Sequence, residues 1–501
     1  MKTLIKNLFG GGRERRAALE EKIAAADAQG NLAEAIEARR ALLAEHPASA
    51  DTWVTLAGCL RRDGKQKEAV AAYEQALAAG AQPAPLLLQL GAIQTELEDF
   101  PAAEQTFARL VALDPRHADA LCMLGVVTKE QRRFEEATHH FEQALALNPA
   151  FSEAYFNLGL TQFELGKLAD ASRSFMRCAE LRRGKPWTEV NRTLFLEREP
   201  FPRFEAMDLG VNEIKLRHDC EQLAYLLEGG QLPPGYSRVL ADYRALLGEI
   251  RGKVDENTLM PFDASQHPLV ARTYKRPVHV AQVPPPAAGI INPELDFEEI
   301  QDRYLAADPN VLAIDSLLTP EALAAVRRFC RESTIWNNIK GGYLGAYFFD
   351  GFCSELLLRL AWELRQHMPR VIRDHPLNMM WGYKCDCTLP GLAVHADAAA
   401  VNVNFWITED EANLDPDGGG LQVYEHTAPG DWDFRMFNKD AGKIQDWLES
   451  IGSVPTRYPY RANRALIFDS DLFHATDSPR FREGYLNRRI NITLLYGNRL
   501  V

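Results

Sequence analysis

The chain has 501 residues, 46% of them apolar and 25% charged, with a formal net charge of −13. That length exceeds what one hydrophobic core serves and points to about three domains. The composition excludes collagen-like, wholly disordered and disulfide-scaffold chains, and the acidic balance argues against nucleic acid as a partner. Residues 1–15 mix basic side chains with Leu4, Ile5, Leu8 and Phe9. They lack the apolar core and cleavage site of a signal peptide and read as an N-terminal tail. No run of about 18 apolar residues occurs, so no membrane span is expected. The eight cysteines are scattered, as in a reducing cytoplasmic compartment. Only Cys385-Asp386-Cys387 is close-spaced, and without a second pair it reads as ordinary strand residues.

Residues 16–184 repeat with a period of 34. Ala35, Ala69, Ala103, Ala137 and Ala171 recur at that step, as do Leu56, Leu90, Leu124 and Leu158. Ala57, Gly91, Gly125 and Gly159 stand beside the leucines, and Tyr73, Phe107, Phe141 and Phe175 supply a ring in each unit. Each unit carries two amphipathic helical patterns. The small residues let paired helices approach, the rings fill the groove beside them, and stacking buries the remaining apolar faces. Lys22 and Arg39 break the pattern of the first unit, as expected of a polar cap. The array resembles tetratricopeptide repeats, which implies an α-solenoid presenting a groove to a protein or peptide.

Residues 185–295 read as a helical extension followed by a linker. Leucines and other apolar residues over 210–252 predict helices whose expected task is to cover the last repeat, with His218 at the surface or in a cap. Pro261, Pro268, Pro277, Pro284, Pro285, Pro286 and Pro293 then predict an extended connector.

Over 296–501 the pattern turns to strands. A strand at 311–314 precedes a helix over 320–333, and a second helix covers 353–368. Short apolar or alternating runs follow at 380–388, 400–408, 420–424, 464–468 and 489–496, as in a β-sandwich or barrel. His395-Ala396-Asp397 sets an imidazole and a carboxylate on one side of an extended chain. His474 follows the run 464–468 and the turn Asp469-Ser470-Asp471. Two histidines and a carboxylate make a facial set suited to ferrous iron with open coordination positions. Asp469, Asp471 and Asp477 flank His474 and are expected to be loop or supporting residues. Arg489 opens the last strand and shares a face with Asn491 and Thr493, an arrangement that can hold a carboxylate by two hydrogen bonds. Arg488 is its competitor, since a shift of one residue exchanges the faces.

The order HAD, VNVNFWIT, GGGLQVY, LIFDSDLFHAT and RRINITLL resembles the Fe(II)/2-oxoglutarate-dependent oxygenases, near the prolyl 4-hydroxylase-like and phytanoyl-hydroxylase-like branches. The resemblance implies a double-stranded β-helix (jelly roll) with flanking helices. It implies Fe(II) on His395, Asp397 and His474, and 2-oxoglutarate on Arg489 with Asn491 beside it. Where that family has Ser or Thr two residues after the arginine, this chain has Asn491. The carboxylate Asp397 favours hydroxylation over halogenation. O2 and 2-oxoglutarate would be the cosubstrates, with a C–H bond as the target.

Asn402, Asn404 and Trp406 alternate with Val401, Val403 and Phe405, and the two asparagines are candidates for touching cosubstrate or substrate. Tyr383 and Lys384 are lesser candidates. The stretch 341–349, rich in glycine and aromatics, reads as a mobile wall, and the insert 425–461, with Trp432, Phe434, Phe437 and Trp447, as a lid. The whole is expected to be an α + β multidomain oxygenase whose repeats recruit a protein or peptide. Its alternatives are an oxygenase of a small molecule, with repeats for docking or oligomerisation, and a non-catalytic repeat adaptor. The oligomeric state is left open.

Overall fold

The computed structural model describes residues 2–186, 210–253, 255, 258–372, 374–385 and 391–498. Residues 187–209 of the expected extension, and Asp386 and Cys387, lie outside the described residues. The chain divides into two compact units, residues 1–161 and 162–501.

The first unit is a helical-repeat solenoid. Helix α1 (Lys2–Gln29) includes the stretch read as a tail. It is followed by α2 (Leu32–Glu45), α3 (Ala50–Arg62), α4 (Gln66–Ala78), α5 (Pro83–Glu96), α6 (Phe100–Leu113), α7 (Ala118–Glu130) and α8 (Phe134–Leu147), and α9 (Ser152–Glu164) begins within it. The second helices of the pairs start at residues 32, 66, 100 and 134, reproducing the sequence period. The small-residue positions do what the period requires. A Cβ on Gly91 would stand 2.6 Å from the Phe107 ring, and one on Gly125 would stand 2.7 Å from the Phe141 ring. Arg39, expected on a polar cap, is instead buried. Its guanidinium bonds Asp27 Oδ2 at 2.5 Å and Thr55 Oγ1 at 3.1 Å, so pairing offsets the burial. A groove over the first repeats is lined by Asp27, Arg39, Arg61, Arg62, Tyr73 and Gln89.

The second unit contains two antiparallel sheets. Its strands are β1 (Val311–Ile314), β2 (Asn338–Lys340), β3 (Tyr343–Tyr347), β4 (Leu377–Cys385), β5 (Val401–Trp406), β6 (Leu421–Thr427), β7 (Thr456–Tyr458), β8 (Ala465–Asp469), β9 (Leu472–Thr476) and β10 (Ile490–Tyr496). Seven form one sheet in the order β1-β8-β5-β10-β4-β3-β2, and three form another in the order β7-β6-β9. Trp406, Leu466 and Phe468 of the larger sheet share a core with Leu421, Val423 and Leu472 of the smaller. The stretch expected as a mobile wall is β3 with its flanks, hydrogen-bonded to β2 and β4. Its glycines hid a strand whose tyrosines pack along the sheet: a Cβ on Gly345 would meet Tyr347 and Tyr383 at 3.0 and 3.2 Å.

Helices surround the sheets. Helix α10 (Leu168–Arg183) follows the repeat period yet belongs to this unit, and its end grips the buried Asp350. Arg182 Nε and Arg183 Nη2 bond that carboxylate at 3.2 and 2.9 Å, and Asn338 Nδ2 adds a third bond at 3.1 Å. Helices α11 (Glu213–Glu228), α12 (Ser237–Ile250) and α13 (Pro268–Thr273) share one apolar cluster built on Leu223, Leu226, Tyr236 and Tyr243. They are followed by α14 (Phe297–Ala306), α15 (Pro320–Glu332) and α16 (Glu355–His367). The extension, expected to cover the last repeat, engages the sheet region. Gln222 Nε2 donates to the carbonyls of Arg331 and Ser333, and Glu221 pairs with Arg488. His218, expected near the surface, is fully buried against Asp219 and Tyr485, because α11 is packed on both faces. The proline-rich segment is no free tether. The amides of Val278 and His279 donate to Thr334 Oγ1, and that of Ala281 donates to Ser333 Oγ. Among the described residues no helix is long and apolar enough to cross a membrane, and the described cysteines are buried.

Two consequences are measurable. Gly125→Val drives a side chain into Phe141 and should cost about 1–3 kcal/mol, read as a lower urea midpoint of the helical signal. Burial raises the carboxyl pKa of Asp350, but the bond and charge of Arg183, with Asn338 and Arg182, outweigh it and hold it below the usual range. A depressed folded value means that stability is complete above the ordinary aspartate range, near pH 4, and is lost as pH falls through the folded value. Asp350→Asn should abolish that acid-side loss and cost about 3–5 kcal/mol at neutral pH by breaking its buried ion pair with Arg183, measured by thermal melts across pH.

Candidate metal and anion site

His395 and His474 are a cross-strand pair. The amide of each donates to the carbonyl of the other, at 3.0 and 2.8 Å. The Asp397 amide donates to the Ser470 carbonyl in the turn between β8 and β9, so the segment 395–397 is stitched to the hairpin that carries His474. The two imidazoles lie 4.4 Å apart, centroid to centroid. Nδ1 of His395 bonds the carbonyl of Ala393 at 2.9 Å, and Nδ1 of His474 bonds that of Leu472 at 3.0 Å. A carbonyl only accepts, so each Nδ1 carries a proton, and in the neutral ring Nε2 then keeps its lone pair.

Those lone pairs converge on one carboxylate. His395 Nε2 is 3.8 Å from Asp397 Oδ1, and His474 Nε2 is 3.6 Å from Asp397 Oδ2. One ligand atom from each residue falls within a set no wider than 4.8 Å. Asp397 and His474 are buried, and His395 is partly so. Burial, then the neighbouring His474 ring, holds His395 below its usual pKa, which favours the neutral ligand form. Burial pushes Asp397 up, but the nearness of His474 and then of His395, with the Asn402 amide, brings it below its usual value. Two neutral nitrogens and one anionic oxygen on one side of a point suit a divalent transition metal with open positions. Asp469, Asp471 and Asp477 do not join the set: Asp469 accepts from the amide of Asp471 in the turn, and Asp477 accepts from Gln422 and the amide of Ser478.

A narrow cavity between the sheets leads from these ligands to Arg489. The Arg489 guanidinium is buried, with Nε donating to the Gly419 carbonyl at 2.7 Å and Nη2 to that of Gly420 at 3.3 Å, and Nη1 lies 3.8 Å from Cys385 Sγ. No carboxylate pairs with it among the described residues. A buried, uncompensated cation facing a cavity is suited to an anionic ligand. Arg488 turns the other way and bonds Glu221 Oε2 at 2.8 Å. The register in β10 therefore gives the cavity Arg489, Asn491 and Thr493.

The remaining candidates separate. Asn404 and Asn491 line the cavity, whereas Asn402 stands behind Asp397, bonded to its Oδ2 at 2.9 Å. Trp406 lies beneath the Arg489 guanidinium, 5.8 Å from its ring centre. Tyr383 lines the cavity and bonds the Tyr347 hydroxyl. Lys384, the next residue on β4, points away to Cys330 O and Tyr485. Trp381, Cys385, Leu392, Leu421 and Thr476 also line the cavity. Trp381 and Cys385 were discoverable, since they flank Tyr383 at the two-residue spacing of one strand face.

The insert expected as a lid is instead a buttress. Its helices α17 (Phe434–Asn438) and α18 (Ala441–Ser450) pack Phe437, Ile444, Leu448 and Trp447 around Val394, Ala396 and Phe473. The Ala396 amide donates to the Phe437 carbonyl, and Asn438 Nδ2 donates to the Ala396 carbonyl at 2.8 Å. Ala396, between His395 and Asp397, is thus clamped on both polar groups.

Comparison with known proteins bears on the repeats. The model of the tetratricopeptide repeat matches residues 129–177. The N-terminal part carries tetratricopeptide repeats. The model of the bacterial transcriptional activator domain matches residues 12–92. A crystal structure of MamA protein is 21% identical over 37% of this chain and 99% of its own, with a TM-score of 0.32. YrrB, described as a TPR protein with an unusual peptide-binding site, is 20% identical over 32% of this chain and 82% of its own, with a TM-score of 0.30. A tetratricopeptide repeat protein from Parabacteroides merdae is 22% identical over 36% of this chain and 70% of its own, with a TM-score of 0.31. No curated protein matches the chain.

Asn438→Ala removes one of the two bonds at Ala396. Amide exchange over 395–397 should rise about fivefold, the equivalent of one net hydrogen bond, as read by hydrogen–deuterium exchange mass spectrometry.

Proposed function

We propose that the second unit is an Fe(II)- and 2-oxoglutarate-dependent dioxygenase that hydroxylates a C–H bond, with its two sheets forming a double-stranded β-helix. The observation that carries this reading is the pairing of a His395–Asp397–His474 donor set with a buried Arg489 that meets no carboxylate among the described residues, at two stations of one cavity. His395, Asp397 and His474 would hold the iron on one face. Arg489 would hold the distal carboxylate of 2-oxoglutarate with the N–H groups left after its carbonyl bonds. With iron bound, the centre would supply the oxidation: one oxygen of O2 enters succinate as 2-oxoglutarate loses CO2, and the other enters the substrate as a hydroxyl group. The residues of this chain orient the reactants and limit water access: Trp381 and Tyr383 wall the cavity, and Asn402 fixes the liganding carboxylate.

The substrate in this reading is a protein or peptide recruited by the repeats, whose groove offers Arg61, Arg62 and Tyr73.

Anaerobic loading with Fe(II) and 2-oxoglutarate, followed by O2, should yield succinate. Alanine at His395, Asp397 or His474 should abolish metal binding. Arg489→Met should weaken 2-oxoglutarate binding at least about tenfold, the worth of a charge-assisted pair, while Arg488→Met should not. Absence of succinate from an iron-loaded chain would refute the reading. Substrate trapped from extract should gain one oxygen by mass. The double variant Arg61→Glu/Arg62→Glu should slow that turnover while sparing substrate-free succinate formation.

A further inference from the structure

Behind Asp397 the polar side chains of β5 and β10 form one continuous hydrogen-bonded chain. Asn402 donates Nδ2 to Asp397 Oδ2 at 2.9 Å, and Asn404 donates Nδ2 to Asn402 Oδ1. Asn404 Oδ1 accepts from Asn491 Nδ2 and from the Thr493 hydroxyl, each at 2.8 Å. Asn491 Nδ2 also donates to Thr493 Oγ1 at 3.1 Å. All four side chains are buried, and the register sets Asn404 directly opposite Thr493.

The chain has only one workable direction. An ionised carboxylate accepts and cannot donate, so Asn402 must present its NH2 group to Asp397. Its oxygen then faces Asn404 and requires that residue's NH2 group. Asn404 in turn shows its oxygen to β10, where Asn491 and Thr493 must donate. Turning any one amide would set oxygen against oxygen or N–H against N–H. The sequence of constraints ends on Asn491 Oδ1, which is buried and has no hydrogen-bond partner among the described residues, on a residue that lines the cavity. A buried orphan acceptor is costly until a donor reaches it. The carboxylate of 2-oxoglutarate is itself an acceptor and cannot serve.

We propose that Asn402, Asn404 and Thr493 are positioning residues for the metal-binding carboxylate, acting on Asp397 through this one-way chain, and that Asn491 offers its oxygen to a donor on the bound substrate rather than to the cosubstrate. The proposal rests on the reading of His395, Asp397 and His474 as the metal ligands. It departs from the expectation that Asn404 and Asn491 bind the cosubstrate, and it gives the substrate class a requirement: an N–H or O–H group beside the reacting carbon.

The test is Co(II) titration of the full chain, followed by its visible absorption, with melting curves recorded in parallel. Thr493→Val and Asn404→Leu should weaken Co(II) binding about tenfold, the usual cost of losing support around a ligand, and should alter the absorption band. Thr493→Ser, which keeps the donor, should restore both. In Mn(II)-loaded protein, Asn491→Ala should leave 2-oxoglutarate affinity within about twofold of wild type, where Arg489→Met loses about tenfold. Wild-type affinity and spectrum in Thr493→Val and Asn404→Leu would overturn the positioning role. A loss of 2-oxoglutarate binding in Asn491→Ala equal to that in Arg489→Met would overturn the role given to Asn491. Failure of the wild-type chain to bind Co(II) would instead overturn the metal reading, and this proposal with it.

Discussion

The site depends on one antiparallel bridge, the reciprocal backbone bonds between His395 and His474. The two residues are far apart in sequence, and neither could hold a metal alone. Their peptide bonds bring the rings side by side, and Asp397, two residues along, follows because extended backbone returns to the same face every second residue. The bonds from each Nδ1 then leave both Nε2 atoms facing the carboxylate. Backbone pairing therefore does most of the assembly, and side-chain chemistry completes it.

The surroundings hold that arrangement from three directions. The insert helices clamp Ala396 through Phe437 and Asn438, the turn at Ser470 takes the amide of Asp397, and Asn402 takes the carboxylate. These contacts come from three distant parts of the sequence, so the three donors are over-determined in position. Such support is what a donor set needs when its members lie on separate segments rather than within one long strand. At the other end of the cavity the Gly419 and Gly420 carbonyls steady Arg489. Glycine is required at 420 because a Cβ there would stand 1.9 Å from the Tyr458 carbonyl.

Much of this was legible in the sequence because it is periodic or local. The 34-residue step locates the second helix of each repeat, and alternation locates β1, β5, β8 and β10 to within a residue or two of the observed ends. The placing of His395 and Asp397 on one side follows from the same alternation, while His474 joins them through the bridge. Features set by packing were harder to read. Glycine and tyrosine concealed β3, whose small residues make room for neighbouring rings. His218, expected at the surface, and Lys384, a lesser cavity candidate, both lie between α11, α15 and the sheet. The insert's aromatics suggested a cover, yet they bury themselves against the back of the ligand loop. Asn402 shares a face with Asn404, but its depth along the strand puts it behind Asp397 rather than in the cavity. No local pattern separates such cases, since the deciding contacts are made only once the elements pack.

Arg488 and Arg489 are consecutive, yet one grips Glu221 on α11 and the other faces the cavity. Helix α11 thus holds one end of a lever whose other end is the cavity-facing guanidinium, and the fulcrum is a single planar peptide link. A force that parts the helix from the sheet is transmitted to the cavity floor without crossing any intervening layer.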